Sequence, residues 1–189
     1  MRTVSVVILS YNRLEKLKEN IHILFSRPHT WNEMIIVDNA SNDGTIGFLE
    51  SLQSNIHILK QQKNLGVAAG RNVGFRKAKG NIILYMDDDA ILDPNQFEYI
   101  VDAFNHEPRL GVFCPLVIHG ETKIPQNPHG YHRIEVANYH GAAHAFRKEA
   151  LEKIGFLDEE CFFGGEELDS SIRLYEAGYY CIFFPEVTA

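Results

Sequence analysis

The sequence predicts an α/β domain: a three-layer sandwich with a mostly parallel central sheet and helices on both faces. Three observations predict it. Short runs rich in Val, Ile and Leu alternate with stretches whose apolar residues recur at helical spacing. The polar, chemistry-bearing residues fall where those runs end. The 189 residues suffice for one compact domain burying roughly 70% of its unfolded surface, and are few for two.

Each element has its own signal. Val4 to Leu9 is a continuous run rich in β-branched residues, as expected of a strand covered on both faces, and reads as a strand rather than a signal peptide. Leu14, Leu17, Ile21 and Leu24 mark one face of a helix. Met34 to Val37 is a second buried strand, and Asp43-Gly44 opens a short helix carrying Ile46, Leu49 and Leu52. Ile56, Ile58 and Leu59 suggest a third strand. Residues 66 to 79 form a helix rich in small residues, with Gly80 as its expected C-cap. Ile82 to Met86 is a fourth strand that runs into Asp87, Asp88 and Asp89, and Pro94 starts another helix.

The second half changes character. Leu110 to Ile118 and Ala142 to Phe146 read as strands, Lys148 to Ile154 and Glu166 to Ala177 as helices, and Tyr179 to Phe184 as a last apolar run. Residues 119 to 133, with two prolines, two glycines and three histidines, read as a long mobile loop. The expected organisation is a single domain, 1–189. Residues 1–106 form a nucleotide-binding half, and residues 107–189 an acceptor-side half that ends early.

Composition excludes several classes. Apolar residues make up 45% and charged residues 23%, the ordinary globular mixture, and the net charge of −7 leaves no broad basic footprint for nucleic acid. Any phosphate-bearing partner must be met locally, by a metal ion, an Arg or helix N-termini. Cys114, Cys161 and Cys181 form no CxxC pair and read as buried reduced thiols. That usage suits a reducing, cytoplasmic compartment.

In an open parallel sheet, ligands bind beyond the carboxyl ends of the strands. Four polar clusters fall there: Ser10-Tyr11-Asn12-Arg13, Asp38 to Gly44, Asn64-Leu65-Gly66 and Asp87-Asp88-Asp89. Successive carboxylates repel one another, and a bound Mg²⁺ or Mn²⁺ would remove that cost. The bland alternative is an acidic turn capping the helix at Pro94. Asp38 is read either as a turn cap or as an acceptor for a base edge or ribose. Asp43 reads as a helix cap. Gly66, Gly70 and Gly74 form a close-packing helix face, since no Lys-Ser or Lys-Thr follows to make a phosphate loop. Arg71, on the same helix, either reaches a diphosphate or makes a surface salt bridge. Glu166, Glu167 and Asp169 sit at a helix start, where acids suit the macrodipole and Asp169 can pair with Arg173. That leaves Glu166 and Glu167 for general-base work. His140 and His144, read as sharing a strand face about 13 Å apart, are too distant for one metal.

The stretches VSVVILSYNR, EMIIVDNASNDGT, NLGVAAGRNVGFRKAKGNIILYMDDDA and GAAHAFRKEALEKIGFLDEECFFGGEELDSSIRLYEAGY together resemble family 2 glycosyltransferases of the GT-A fold. The likeness spans nearly the full chain, with residues 107 to 140 vague. It implies inverting transfer of a sugar from a nucleoside diphosphate, UDP foremost, to a hydroxyl on a glycan, lipid-linked or other acceptor. Carried over, Ser10, Tyr11 and Arg13 line the nucleotide pocket, Asp38 bonds the base, and Asn64, Arg71 and Asp88 lie near the nucleotide and diphosphate. Asp87 and Asp89 match the DxD motif for Mn²⁺ or Mg²⁺. Glu167 stands where the family has the Asp general base, one methylene longer, with Asp169 in reserve. The family's further His after the last strand has no counterpart. A lipid-linked acceptor would bring the protein to the inner face of a membrane. The competing reading is a domain that binds a nucleotide sugar without turnover. A nucleotidyltransferase would need glycines after the first strand, and a haloacid-dehalogenase-like phosphatase would carry its acids there.

Overall fold

A computed structural model describes residues 3–26, 30–52, 56–127 and 129–189. The elements follow in the order β1 (Val4–Ser10), α1 (Leu14–Phe25), β2 (Glu33–Asp38), α2 (Thr45–Ser51), β3 (Ile56–Lys60), α3 (Val67–Lys77), β4 (Ile82–Asp87), α4 (Phe97–His106), β5 (Leu110–Leu116), β6 (Ile134–Val136), β7 (Ala143–Arg147), α5 (Lys148–Lys153), α6 (Glu166–Glu176) and β8 (Tyr180–Thr188). Among the described residues the strands form one eight-stranded sheet in the order β3-β2-β1-β4-β7-β5-β8-β6. The β3-β2-β1-β4 half is parallel throughout; β7 and β6 run against the other six strands.

Alternation along the strands builds the two faces of the sandwich. Val4, Val6 and Ile8, with Ile82, Leu84 and Met86, point into a core closed by Leu17, Ile21 and Leu24 of α1, Leu49 of α2 and Phe97, Ile100 and Phe104 of α4. Val7, Ile83 and Tyr85 point the other way, against Phe75 of α3, Leu151 of α5 and Leu174 of α6. The approach of α3 to β1 depends on glycine: a Cβ on Gly74 would lie 2.4 Å from Val7 Cγ1, and one on Gly70 2.7 Å from Leu9 Cδ1.

Several expectations need correction. Gly80 does not cap α3, which ends at Lys77 with Ala78 as its cap; it lies against β1, where a Cβ would meet the Ser5 nitrogen at 2.6 Å. Residues 119–127 are not an unstructured loop. Ile118 bridges Pro125, Asn127 accepts from the Val117 amide and donates to Pro115, and the Ile118 amide donates to Ala189. Pro128 lies outside the described residues. The last strand continues to Thr188, absorbing Pro185 at a register shift against β5. His140 is not in a strand: the chain turns at Gly141-Ala142, so His144 Nδ1 sits 3.2 Å from the His140 carbonyl. Cys114 and Cys181 are buried, Cys161 only partly, and all three are free thiols. No described helix is long and apolar enough to cross a membrane.

Candidate active site

The strand order places the crevice. The chain leaves β1 toward β2 on one side, while β4 pairs on the other, and such a switch point opens a cleft at the carboxyl ends. The register brings the polar clusters together there: Ser10 pairs with Asp38, and Leu9 with Asp87. A cleft of about 1210 Å³ opens above them. Tyr11, Arg13, Asn64 and all three aspartates line it on the β1–β4 side, and Glu167 with His140 on the other.

On the first side, Asp38 is buried at the end of β2. Its Oδ1 accepts from the Ser41 amide at 3.2 Å, which is the turn cap, while Oδ2 is buried with no hydrogen-bond partner. An acceptor oxygen in that state suits an incoming N–H. Asn64 holds its own turn, with Oδ1 accepting from the Gly66 amide and from Asn39 Nδ2, both at 2.9 Å. Asn39, which the sequence reading overlooked, also accepts from the Leu65 amide at 3.0 Å and so ties that turn to β2. Gly66, at φ +84, admits Phe162, whose carbonyl accepts from the Val67 amide at 2.7 Å. The start of α3 is therefore closed by protein backbone. Asp43 accepts from the Leu14 amide at 2.9 Å and from Thr45, so one carboxylate serves the first turns of both α1 and α2.

The aspartate triplet does not cap the helix after it. Asp93 does that, accepting from the Asn95 amide at 3.0 Å. Asp89 pairs with Arg13, which is half exposed. Asp87 Oδ1 accepts from the Tyr85 hydroxyl at 2.5 Å and lies 3.5 Å from Arg71 Nη2. Burial pushes the Asp87 carboxyl up against the pull of Arg71. It pushes Asp88 up to about 6, with Asp89 and Asp87 adding to the rise and Ser10 and Arg13 opposing it. Asp87 and Asp89 supply hard carboxylate oxygens to the cleft, the donor type Mg²⁺ and Mn²⁺ take. Among the described residues no group of three or more His, Cys, Asp and Glu side chains converges as a ready cage. The donor set fits an ion whose remaining positions are filled by ligand oxygens and water.

On the opposite side, α6 begins after Gly164 and Gly165, both left-handed at φ +82 and +97. Glu166 is buried, its carboxyl pushed up by that burial, and Glu167 faces the cleft. Asp169 does not line the cleft: Arg173 Nε donates to its Oδ2 at 2.9 Å, the i, i+4 pair of an ordinary helix. Arg71 makes no surface salt bridge. It is 3% exposed and joins the two sides. Nη1 donates to Glu166 Oε1 at 2.9 Å and Glu167 Oε1 at 3.2 Å, Nη2 donates to the Gly141 carbonyl at 3.2 Å, and its plane lies over the Tyr85 ring at 4.4 Å. Tyr85 and Gly141 were the residues sequence reasoning passed over; Glu166, read beside Glu167 as open to general-base work, is buried against Arg71. An Arg in a small-residue helix face was the one available signal of a buried cation.

Comparison with known proteins agrees with this geometry. The sequence signature of Glycosyl transferase family 2 matches residues 5–162. An uncharacterized glycosyltransferase of Haemophilus influenzae is 29% identical over 165 residues, covering 82% of this chain; the chain spans 56% of that relative's length. Among solved structures, GalNAc-T7 with UDP, GalNAc and Mn²⁺ superposes with a TM-score of 0.82 at 17% identity, over 100% of this chain and 43% of the other. Mannosyltransferase PcManGT from Pyrobaculum calidifontis, in complex with GDP-Man and Mn²⁺, gives 0.76 at 19%, over 100% and 56%. These superpositions establish the GT-A fold. With its signature running from β1 through the triplet to the loop before α6, the chain belongs to glycosyl transferase family 2.

Proposed function

We propose that this chain is the catalytic domain of an inverting glycosyltransferase that moves a sugar from a nucleoside diphosphate, UDP first, to an acceptor hydroxyl. One observation carries the reading: Asp87 and Asp89 open onto the same cleft as Glu167, from opposite sides of Arg71. The nucleotides and Mn²⁺ present in the two superposed glycosyltransferases support it.

Asp38 Oδ2, buried and without a hydrogen-bond partner at the end of β2, is the acceptor for an N–H of the base, which uracil offers at N3. Tyr11 lines the cleft, and Ser10 and Asp38 lie buried beneath it, outside its lining. Asp87 and Asp89 would hold Mn²⁺ or Mg²⁺ beside the diphosphate, with Asp88 buried next to them. When bound, that ion offsets the negative charge that builds on the leaving diphosphate. Arg13, paired with Asp89 from a half-exposed position, is placed to turn to the diphosphate. Glu167 takes the proton of the acceptor hydroxyl as its oxygen bonds the anomeric carbon and the carbon–oxygen bond to the diphosphate breaks. Attack from the Glu167 side, opposite the departing diphosphate, inverts the anomeric centre.

Thermal unfolding with UDP or GDP, each with and without Mn²⁺, tests the reading. At a hundredfold excess over Kd a ligand adds about 2.7 kcal/mol of stability, roughly 5 to 10 °C for a domain this size. UDP is expected to give that shift only with Mn²⁺, and Asp89→Ala to abolish it. A shift independent of Mn²⁺, or none with either nucleotide, contradicts the proposal.

A further inference from the structure

The sequence offered Arg71 as a diphosphate ligand, and the structure gives its guanidinium other work. Both terminal nitrogens are engaged: Nη1 by Glu166 and Glu167, Nη2 by the Gly141 carbonyl and Asp87. Its face is covered by Tyr85, and only 3% of the residue reaches solvent. Both ends of the fork are thus committed to protein oxygens, and Nε, the remaining N–H, is buried without a partner among the described residues. The guanidinium does hold one carboxylate oxygen of Glu167.

Gly141 completes the arrangement from an independent direction. A Cβ built there would lie 2.2 Å from Glu167 Oε1, 3.3 Å from Glu167 Cδ and 3.2 Å from Arg71 Nη2. The Glu167 carboxylate occupies the space that any other residue's side chain would fill. Gly141 is not in the left-handed region, so its backbone conformation does not require glycine. The requirement for glycine is steric, and Glu167 sets it.

We infer that Arg71 and Gly141 form a cradle that fixes the position of the Glu167 carboxylate, with Arg71 a positioning residue and not a ligand of the diphosphate. The inference rests on the reading of Glu167 as the base. Glu166 is the other wall: its Oε1 takes the first bond from Nη1, leaving Glu167 the outer place toward the cleft. Glu167 is one methylene longer than aspartate, and a longer side chain has more rotamers to restrain. Two hydrogen-bonded walls and a missing Cβ supply that restraint.

The test uses the 189-residue chain and four variants, Gly141→Ala, Arg71→Lys, Arg71→Met and Glu167→Gln. UDP affinity with Mn²⁺ is measured by calorimetry. Turnover is measured as nucleotide release from the best wild-type donor among UDP-GlcNAc, UDP-galactose, UDP-glucose and GDP-mannose. Gly141→Ala is expected to fold, checked by its thermal unfolding, because the atom its Cβ must displace is the tip of the Glu167 side chain, with Arg71 Nη2 yielding by a few tenths of an ångström. Its kcat is expected to fall about 100-fold, the order of loss for an ångström of misplacement, with UDP affinity and donor KM unchanged. Its crystal structure should show Glu167 moved off Arg71. Arg71→Lys should recover part of the kcat that Arg71→Met loses. Wild-type kcat in Gly141→Ala beside an inactive Glu167→Gln overturns the cradle alone. Weakened UDP binding with kcat retained in the Arg71 variants restores the diphosphate reading and overturns the cradle. Wild-type turnover by Glu167→Gln overturns the base assignment itself, and the cradle's purpose with it.

Discussion

The two halves of the molecule reach the same cleft by different physics. In residues 3–106 the donor-side residues Ser10, Asp38 and Asp87 stand where the parallel strands β1, β2 and β4 end. Local pattern puts them there, and α3 is drawn tight against β1 by Gly70 and Gly74. In residues 107–189 the sheet reverses twice, and the proposed base arrives on the first turn of a helix after two left-handed glycines. Glu167 is then held by an Arg 96 positions earlier in the chain. The donor side is fixed by the sheet, and the acceptor side is fixed by contact with the donor side.

The largest difference should appear in packing. Gly74→Val drives a side chain into Val7 and should cost about 1 to 3 kcal/mol. Gly120→Val, where nothing lies within 4 Å of the added atom, should change stability by less than about 0.5 kcal/mol. Urea denaturation reads both. Equal effects would break the claim that α3 is drawn tight against β1 by glycine.

An intermediate effect should appear on acidification of the unliganded protein. His144 is fully buried between Tyr85 and Tyr139, and burial holds its imidazole neutral, far below the ordinary 6.5. The unfolded chain protonates it near 6.5, so its contribution is complete above that pH and is lost as pH falls below it. The loss approaches about 1.4 kcal/mol per pH unit. Asp87, Asp88 and Glu166, pushed up by burial, act in the opposite sense, so the measurement is a difference. The stability of His144→Phe relative to the unchanged chain should rise steadily from pH 6.5 to 5. A pH-independent difference would show that His144 already carries a proton when folded.

The smallest effect concerns two carboxylates on one helical turn. Asp169→Asn removes the pair with Arg173 and should cost only about 0.3 to 0.5 kcal/mol, with nucleotide release unchanged. Lost turnover in that variant would move the base from Glu167 to Asp169.

Much of this was legible in the sequence. The strands of the first half, the convergence of the four polar clusters and the Asp169–Arg173 pair follow from period, turn chemistry and i, i+4 spacing. Arg71 was not legible. Its partners at 87, 141, 166 and 167 meet only when α3, β4 and α6 converge, and no local pattern marks a cation as buried. Gly141 was invisible for the same reason, since its missing side chain matters only to an atom 26 residues away. His140 was misplaced because alternation suggested a strand through what is a turn. The 119–127 segment was misjudged because its order comes from Asn127 and Ala189, not from periodicity.

The central claim is that one cleft holds a donor on the β1–β4 side and a proton acceptor, Glu167, on the other. The most direct measurement is nucleotide release by Glu167→Gln at saturating donor and Mn²⁺, beside its UDP affinity. The account predicts UDP affinity equal to that of the unchanged chain and release slower by roughly 10² to 10⁴-fold. Release at the unchanged rate would contradict it.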